Sequence, residues 1–173
     1  MTRWVPVILL LPWLLSAHPG HAGPRMAETA NRFLLSLSTE QRAKAQLQFD
    51  GEERSFFHYI PSDDFPRSLK RPRMGLTLRE MTPQQKHLAS ALLSAGLSQQ
   101  GYIKATTIMS LEEVLRAIEG DSGERRNPEK YHFSIFGEPS EKGVWGYRIE
   151  GHHVSLHFTV IDGLADPADA LFA

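Results

Sequence analysis

Between Tyr131 and Asp162 the chain reads YHFSIFG, EPSEKG and VWGYRIEGHHVSLHFTVID: three apolar-rich runs parted by turn residues. Runs of this length, rich in β-branched and aromatic residues and bounded by glycine and proline, read as strands. The stretch therefore predicts an antiparallel meander with a corner at Gly151-His152-His153. Alternation along the last run places Val154, Leu156, Phe158 and Val160 on one face, headed by His152, and His153, Ser155, His157 and Thr159 on the other. In the run before it, Trp145, Tyr147 and Ile149 share one face, and Val144, Gly146, Arg148 and Glu150 the other. If the aromatic face joins the core, Arg148 and Glu150 lie on the side of His153. The Gly151 corner would then gather Arg148, Glu150, His153 and His132 of the first strand.

Two chemistries fit that constellation. Imidazole and carboxylate together suit a metal such as zinc, and His153 could act as acid or base with Arg148 holding an anion. The plainer reading is a polar sheet face with an Arg–Glu pair. His153 and His157 are four residues apart, about 13 Å along a strand at about 3.3 Å per residue, so they cannot share one ion unaided.

The chain as a whole sets the bounds. Its 173 residues suit one domain with a real core. A formal net charge of -1 provides no basic field for nucleic acid or an anionic membrane. No cysteine is present, which removes disulfides, thiolate metal sites and a cysteine nucleophile.

Residues 1–22 read as a secretory signal: Arg3, then the uncharged run Val5–Leu15, then Gly20-His21-Ala22 at the cut. The apolar run is far short of the about 20 residues that span a bilayer. The expectation is an exported protein, periplasmic or secreted, with a domain from residue 23 and no stable membrane span after cleavage. A cut after Ala17 would instead leave His18 first, able to bind copper through amine and imidazole as in oxidative polysaccharide-cleaving enzymes.

Helical spacing predicts a helix from Pro24 to about Leu37, and Ser38 with Gln41 has capping-box spacing for a second. Arg54 to Ile60 reads as a strand, with His58 a packed residue rather than a ligand. Residues 61–75 read as a polar loop holding the basic cluster Arg67, Lys70, Arg71 and Arg73, either solvated or an anion-binding arm. Three helices follow, from Thr82, Ser98 and Ser110, the second carrying a costly Gly101.

Arg73-Met74-Gly75-Leu76-Thr77-Leu78, Gly101-Tyr102, Tyr131 with Phe136-Gly137-Glu138-Pro139, and Trp145-Gly146-Tyr147-Arg148-Ile149-Glu150-Gly151-His152-His153 together resemble domain-of-unknown-function family 3500, over about Phe33 to Asp162. The resemblance implies an exported bacterial protein and brings no activity with it. Residue by residue it points to Arg148, His152 and His153 as catalytic candidates. Arg73, Glu138 and Trp145 follow as lesser, ligand-binding candidates, and by their imidazole chemistry His152 and His153 are the candidate ligands of a divalent metal. The chain departs from the pattern in two places. His157 stands where asparagine is usual, and members run on toward a P-x-F-x-G stretch beyond Ala173, so this reads as a shortened member with the N-terminal part of a longer domain.

The expected fold is α+β, with helices packed on a small antiparallel sheet. Three functions stay open: a hydrolytic or metal-assisted enzyme using Arg148, His152 and His153; a non-catalytic binding protein whose Arg73 and Arg148 hold an anionic small molecule or peptide; and an inactive truncated copy. No nucleic-acid partner is expected, and the oligomeric state is left open.

Overall fold

The structure, a computed structural model, describes residues 22–64, 71–166 and 170–172. Residues 1–21 of the signal segment, Arg67 and Lys70 lie outside them. Among the described residues, four helices and a seven-stranded sheet make the α+β architecture. Strands β3 (His132–Phe136), β4 (Val144–Glu150) and β5 (Val154–Ile161) are the expected antiparallel meander. Short strands extend both edges. β1 (Gln46–Leu47) runs parallel to the end of β3, and β2 (Leu76–Thr77) antiparallel to its start. β6 (Leu164–Asp166) and β7 (Ala170–Phe172) pair with opposite ends of β5. The sheet is thus mixed, through β1 alone among the described strands.

One sheet face is the core. Phe133, Ile135, Trp145, Tyr147, Ile149, Val154, Leu156, Phe158 and Val160 are all buried there, the alternation expected for β4 and β5. Tyr147 stacks on Phe158 with ring centroids 4.4 Å apart, and Trp145 on Tyr147 at 5.7 Å. Helix α1 (Ala22–Leu35) lays Met26, Ala30, Phe33 and Leu34 onto this face, and its Phe33 ring meets Phe133 at 6.3 Å. Helix α3 (Pro83–Ala95) packs beside α1 through Ala89, Leu92 and Leu93. The short α2 (Thr39–Ala45) sits at the β3 edge.

Helix starts follow the sequence closely because caps are local. Ser38 with Gln41, and Thr82 with Gln85, both form complete capping boxes, with Pro83 at the first turn of α3. Two expectations need correction. The helices predicted from Ser98 and Ser110 are one, α4 (Gln99–Glu119). The Ser110 hydroxyl, expected to cap a new helix, instead donates back to the Thr107 carbonyl, and the ladder runs through. Gly101 then falls in the first turn, its N–H donated to the Ser98 hydroxyl, where glycine costs less than in a helix interior.

The predicted strand over residues 54–60 is absent. A 3-10 turn (Glu52–Ser55) leads into irregular chain that crosses the second face of the sheet as a strap. Its carbonyls find guanidinium partners in place of a ladder, which satisfies the backbone without a neighbouring strand. Arg148 donates to the carbonyls of Glu53 (2.9 Å) and Phe56 (3.1 Å), and Arg73 to those of His58 (3.1 Å) and Ile60 (2.6 Å). The Arg71 and Arg73 end of the basic cluster therefore turns inward. No helix among the described residues is long and apolar enough to cross a membrane.

Candidate functional site

The face beneath the strap is polar, as the alternation requires. Registration sets His132 opposite Glu150, Ser134 opposite Arg148, Arg148 opposite His157, and Gly146 opposite Thr159. Arg148 and Glu150 are almost wholly inaccessible, their side chains 0% and 2% exposed. Glu150 Oε1 lies 3.1 Å from Arg73 Nη1 and 3.3 Å from Arg148 Nη2, and Arg148 Nη2 donates to Glu53 Oε1 at 2.6 Å. Arg71 closes on the other Glu53 oxygen and lies over the Phe56 ring at 3.9 Å.

Burial pulls Arg73 and Arg148 below the usual arginine range, with Glu150 pulling the other way, and an arginine starts high enough to stay charged. Burial pushes Glu150 up, against the pull of both arginines. This cluster ties the strap to the sheet through side chains far apart in sequence. Arg148 and Arg73 are thereby engaged with protein groups and buried, so the cluster does not present them to a ligand. Arg148 Nε, Glu150 Oε2, Ser134 Oγ and His132 Nδ1 are buried with no hydrogen-bond partner among the described residues. They belong to two neighbouring cross-strand pairs, His132 with Glu150 and Ser134 with Arg148.

The Gly151 corner is real, and it separates the two histidines from Arg148. A Cβ on Gly151 would sit 2.5 Å from the Tyr131 ring, so glycine is required by that close approach. His152 leaves the strand row it was expected to head and turns toward α4. Its Nδ1 lies 2.5 Å from Glu112 Oε1 and 3.2 Å from Arg126 Nη1, and the Tyr131 hydroxyl donates to its carbonyl at 2.7 Å. The carboxylate distance assigns the Nδ1 proton to the Glu112 bond. His153 has φ of 59°, a left-handed value held by its N–H donating to the Tyr59 carbonyl at 2.8 Å.

The His153 side chain is exposed and packs on the His152 ring, centroids 4.0 Å apart. Partial burial and then His152 hold its pKa down, with Glu112 and Arg126 the other charges acting on it. Arg148 is buried among Glu53, Phe56 and Glu150 under the strap, while the His153 ring lies exposed against His152. No three His, Asp or Glu side chains converge on a point among the described residues. His152 and His153 alone would have to supply a metal, and Nδ1 of His152 is already engaged. Trp145 is a core residue whose Nε1 donates to the Ser140 carbonyl, and Glu138 is exposed at the β1 edge, accepting from Gln46.

Where the strap stands off the sheet it leaves a pocket of about 240 Å³, lined by Arg54, Ser55, Phe57, Phe136, Tyr147, His157, Phe158 and Thr159. Arg54 lies over the Phe49 ring at 4.1 Å and donates from Nη2 to Thr159 Oγ1 at 2.8 Å. Gly146, opposite Thr159, lets β4 and β5 approach closely: a Cβ there would stand 2.7 Å from the Phe158 carbonyl oxygen. The His157 ring packs at a tilt of 32° on Phe57, centroids 4.8 Å apart, and its Nε2 lies 3.3 Å from the Ser155 hydroxyl. Burial first, then Arg148, holds its pKa down at about 3, so it walls the pocket as a neutral ring. Alternation had put Gly146, His157 and Thr159 on this face. Arg54 was missed, because a residue read as part of a strand gave no sign of crossing over them.

A family model described as a protein of unknown function (DUF3500) matches residues 20–168. The chain belongs to that family. The match takes in the whole polar face, the Gly151 corner and the strap. No curated protein matches the chain, and no solved structure does.

Proposed function

We propose that this family member is an exported binding protein for a small anionic ligand, held under the strap by Arg54. Export rests on Arg3, the apolar run Val5–Leu15 and the small residues at Gly20 and Ala22. The binding reading rests on one observation: a pocket of about 240 Å³ whose lining carries a half-buried arginine beside two hydroxyl side chains, Ser55 and Thr159. With one nitrogen on Thr159, the Arg54 fork keeps further donors for a carboxylate or phosphate. The volume lies below the about 300 Å³ at which drug-sized sites begin, so the ligand is small. The anion-binding role first assigned to Arg73 and Arg148 passes to Arg54, because those two hold the strap.

Titration calorimetry with phosphate and with short dicarboxylates tests this. Wild-type protein should bind at least one of them saturably, and Arg54→Gln should weaken that binding at least tenfold. Equal affinity in the two proteins would overturn the reading.

A second reading, hydrolysis at His152, is favoured by the short Glu112 bond. Donating Nδ1–H to the carboxylate orients the ring and leaves Nε2 with its lone pair, the disposition of a general base. It predicts that His152→Gln abolishes turnover of activated esters or phosphoesters while leaving anion binding at Arg54 intact. Absence of turnover in the wild-type protein would remove it.

A further inference from the structure

The lining of the pocket under the strap is of two kinds. Arg54, Ser55 and Thr159 are its polar groups, and the rest is aromatic. Tyr147 and Phe158 stack on each other in the core, so the rings on the pocket's own face of the sheet are Phe136 and His157, joined by Phe57 from the strap. Phe136 and Thr159 end one cross-strand row whose middle member, Gly146, has no side chain to stand between them. His157 packs on Phe57 and also hydrogen-bonds the Arg54 backbone, which ties the aromatic and the cationic parts of the lining together.

The cation is single and oriented. Among the described residues Arg54 is the one charged side chain in the lining, and no carboxylate pairs with it. Glu53, its neighbour in the chain, is taken by Arg71 and Arg148. The guanidinium carbon of Arg54 lies 4.1 Å from the centre of the Phe49 ring, and Nη2 donates to Thr159 Oγ1, so its plane is set from two directions. A guanidinium held in this way takes a carboxylate in its own plane. A carboxylate bonded directly to an aromatic ring is conjugated with it, so the ring follows that plane.

We infer that the ligand is a small aromatic monocarboxylate, its carboxylate on the Arg54 fork and its ring against Phe57, Phe136 and His157. The inference rests on the Arg54 reading above and narrows it from any small anion to an aromatic acid. One cation calls for one negative charge, because a second would be desolvated without a partner. The rings favour a flat aromatic body over an aliphatic one of equal size, through offset and edge contacts. Size sets the upper limit. The volume of about 240 Å³ is the liquid share of about eight waters at about 30 Å³ each, room for one ring with its carboxylate and not for two rings.

Titration calorimetry of the purified protein with benzoate, cyclohexanecarboxylate, acetate and phosphate tests the class. Benzoate should bind about tenfold or more tighter than acetate, from the apolar area its ring buries. It should bind about threefold or more tighter than cyclohexanecarboxylate, from ring–ring contact. Arg54→Gln should weaken benzoate about tenfold or more. Phe57→Leu, which keeps an apolar side chain in the strap, should erase the preference for benzoate over cyclohexanecarboxylate. A check that needs no variant is the nuclear Overhauser effect in the wild-type complex, expected between the benzoate ring protons and the rings of Phe57 and Phe136. Benzoate no tighter than acetate, cyclohexanecarboxylate equal to benzoate, or benzoate binding without contact to Phe57 would each overturn the aromatic class; Arg54-dependent phosphate binding would then leave the broader anion reading standing. No saturable binding of any of the four would overturn both.

Discussion

Acid should unfold this protein through two imidazoles. His132 and His157 are both held down to about 3, in each case by burial first, with Arg73 and Arg148 adding for His132, and Arg148 and Arg54 for His157. In the unfolded chain each titrates near about 6.5. Their folded pKa values are depressed, so the stability they contribute is complete above about pH 6.5 and is lost as pH falls toward about 3. Between those limits the unfolded chain binds about two protons more than the folded one, a slope of about 2.7 kcal/mol per pH unit. From about pH 6 to 4.5 this amounts to about 4 kcal/mol, a large part of the about 5–15 kcal/mol a domain possesses. His58 and His153 are shifted in the same direction and add to the slope. Glu150, pushed up by burial, opposes it, because the folded state takes up its proton first. Urea unfolding followed by circular dichroism at a series of pH values gives the slope directly. His157→Asn removes one of the two imidazoles and should lower the slope by about 1.4 kcal/mol per unit. A slope unchanged in that variant, or a wild-type stability flat across this range, would refute the argument.

Arg148→Met leaves Glu53 and Glu150 without their shared cation and should cost about 3–5 kcal/mol in urea unfolding; a cost under about 1 kcal/mol would mean that the cluster does not hold the strap. Phe158→Ala, in the stacked aromatic core, should cost about 3–5 kcal/mol, and Thr159→Ala on the opposite face about 1 kcal/mol from its bond to Arg54. Equal costs would refute the face assignment. N-terminal sequencing of the exported protein should begin at Gly23, and an intact Met1 on cytoplasmic protein would contradict export.

What could be read from the sequence was what is decided locally. The Ser38 and Thr82 capping boxes, the three meander strands and the face assignment of β4 and β5 depend on residues within a few positions of one another. The strap was misread because Arg54 to Ile60 is aromatic enough for a strand. Its carbonyls are instead taken by Arg73 and by Arg148, whose contacts on Glu53 and Phe56 lie 95 and 92 residues away in the chain. Helix α4 was split because Ser110 looks like a cap until the helix around it supplies the Thr107 carbonyl. The two-residue strands β1 and β2 have no pattern of their own and exist through β3. For the site, alternation separated Arg148 from the core but could not name its partners. It kept His153 on the face of Arg148, and the left-handed turn at His153 undid that.

The central claim is that the pocket under the strap holds an anion on Arg54. Its most direct test is a titration of isotope-labelled protein with phosphate and with a short dicarboxylate, following the Arg54 side-chain Nε–H resonance by NMR. The account predicts saturable shifts at Arg54, Ser55 and Thr159, with the Gly151 corner unmoved. Saturable shifts centred on His152 and His153 with Arg54 silent, or no saturable shift anywhere, would contradict it.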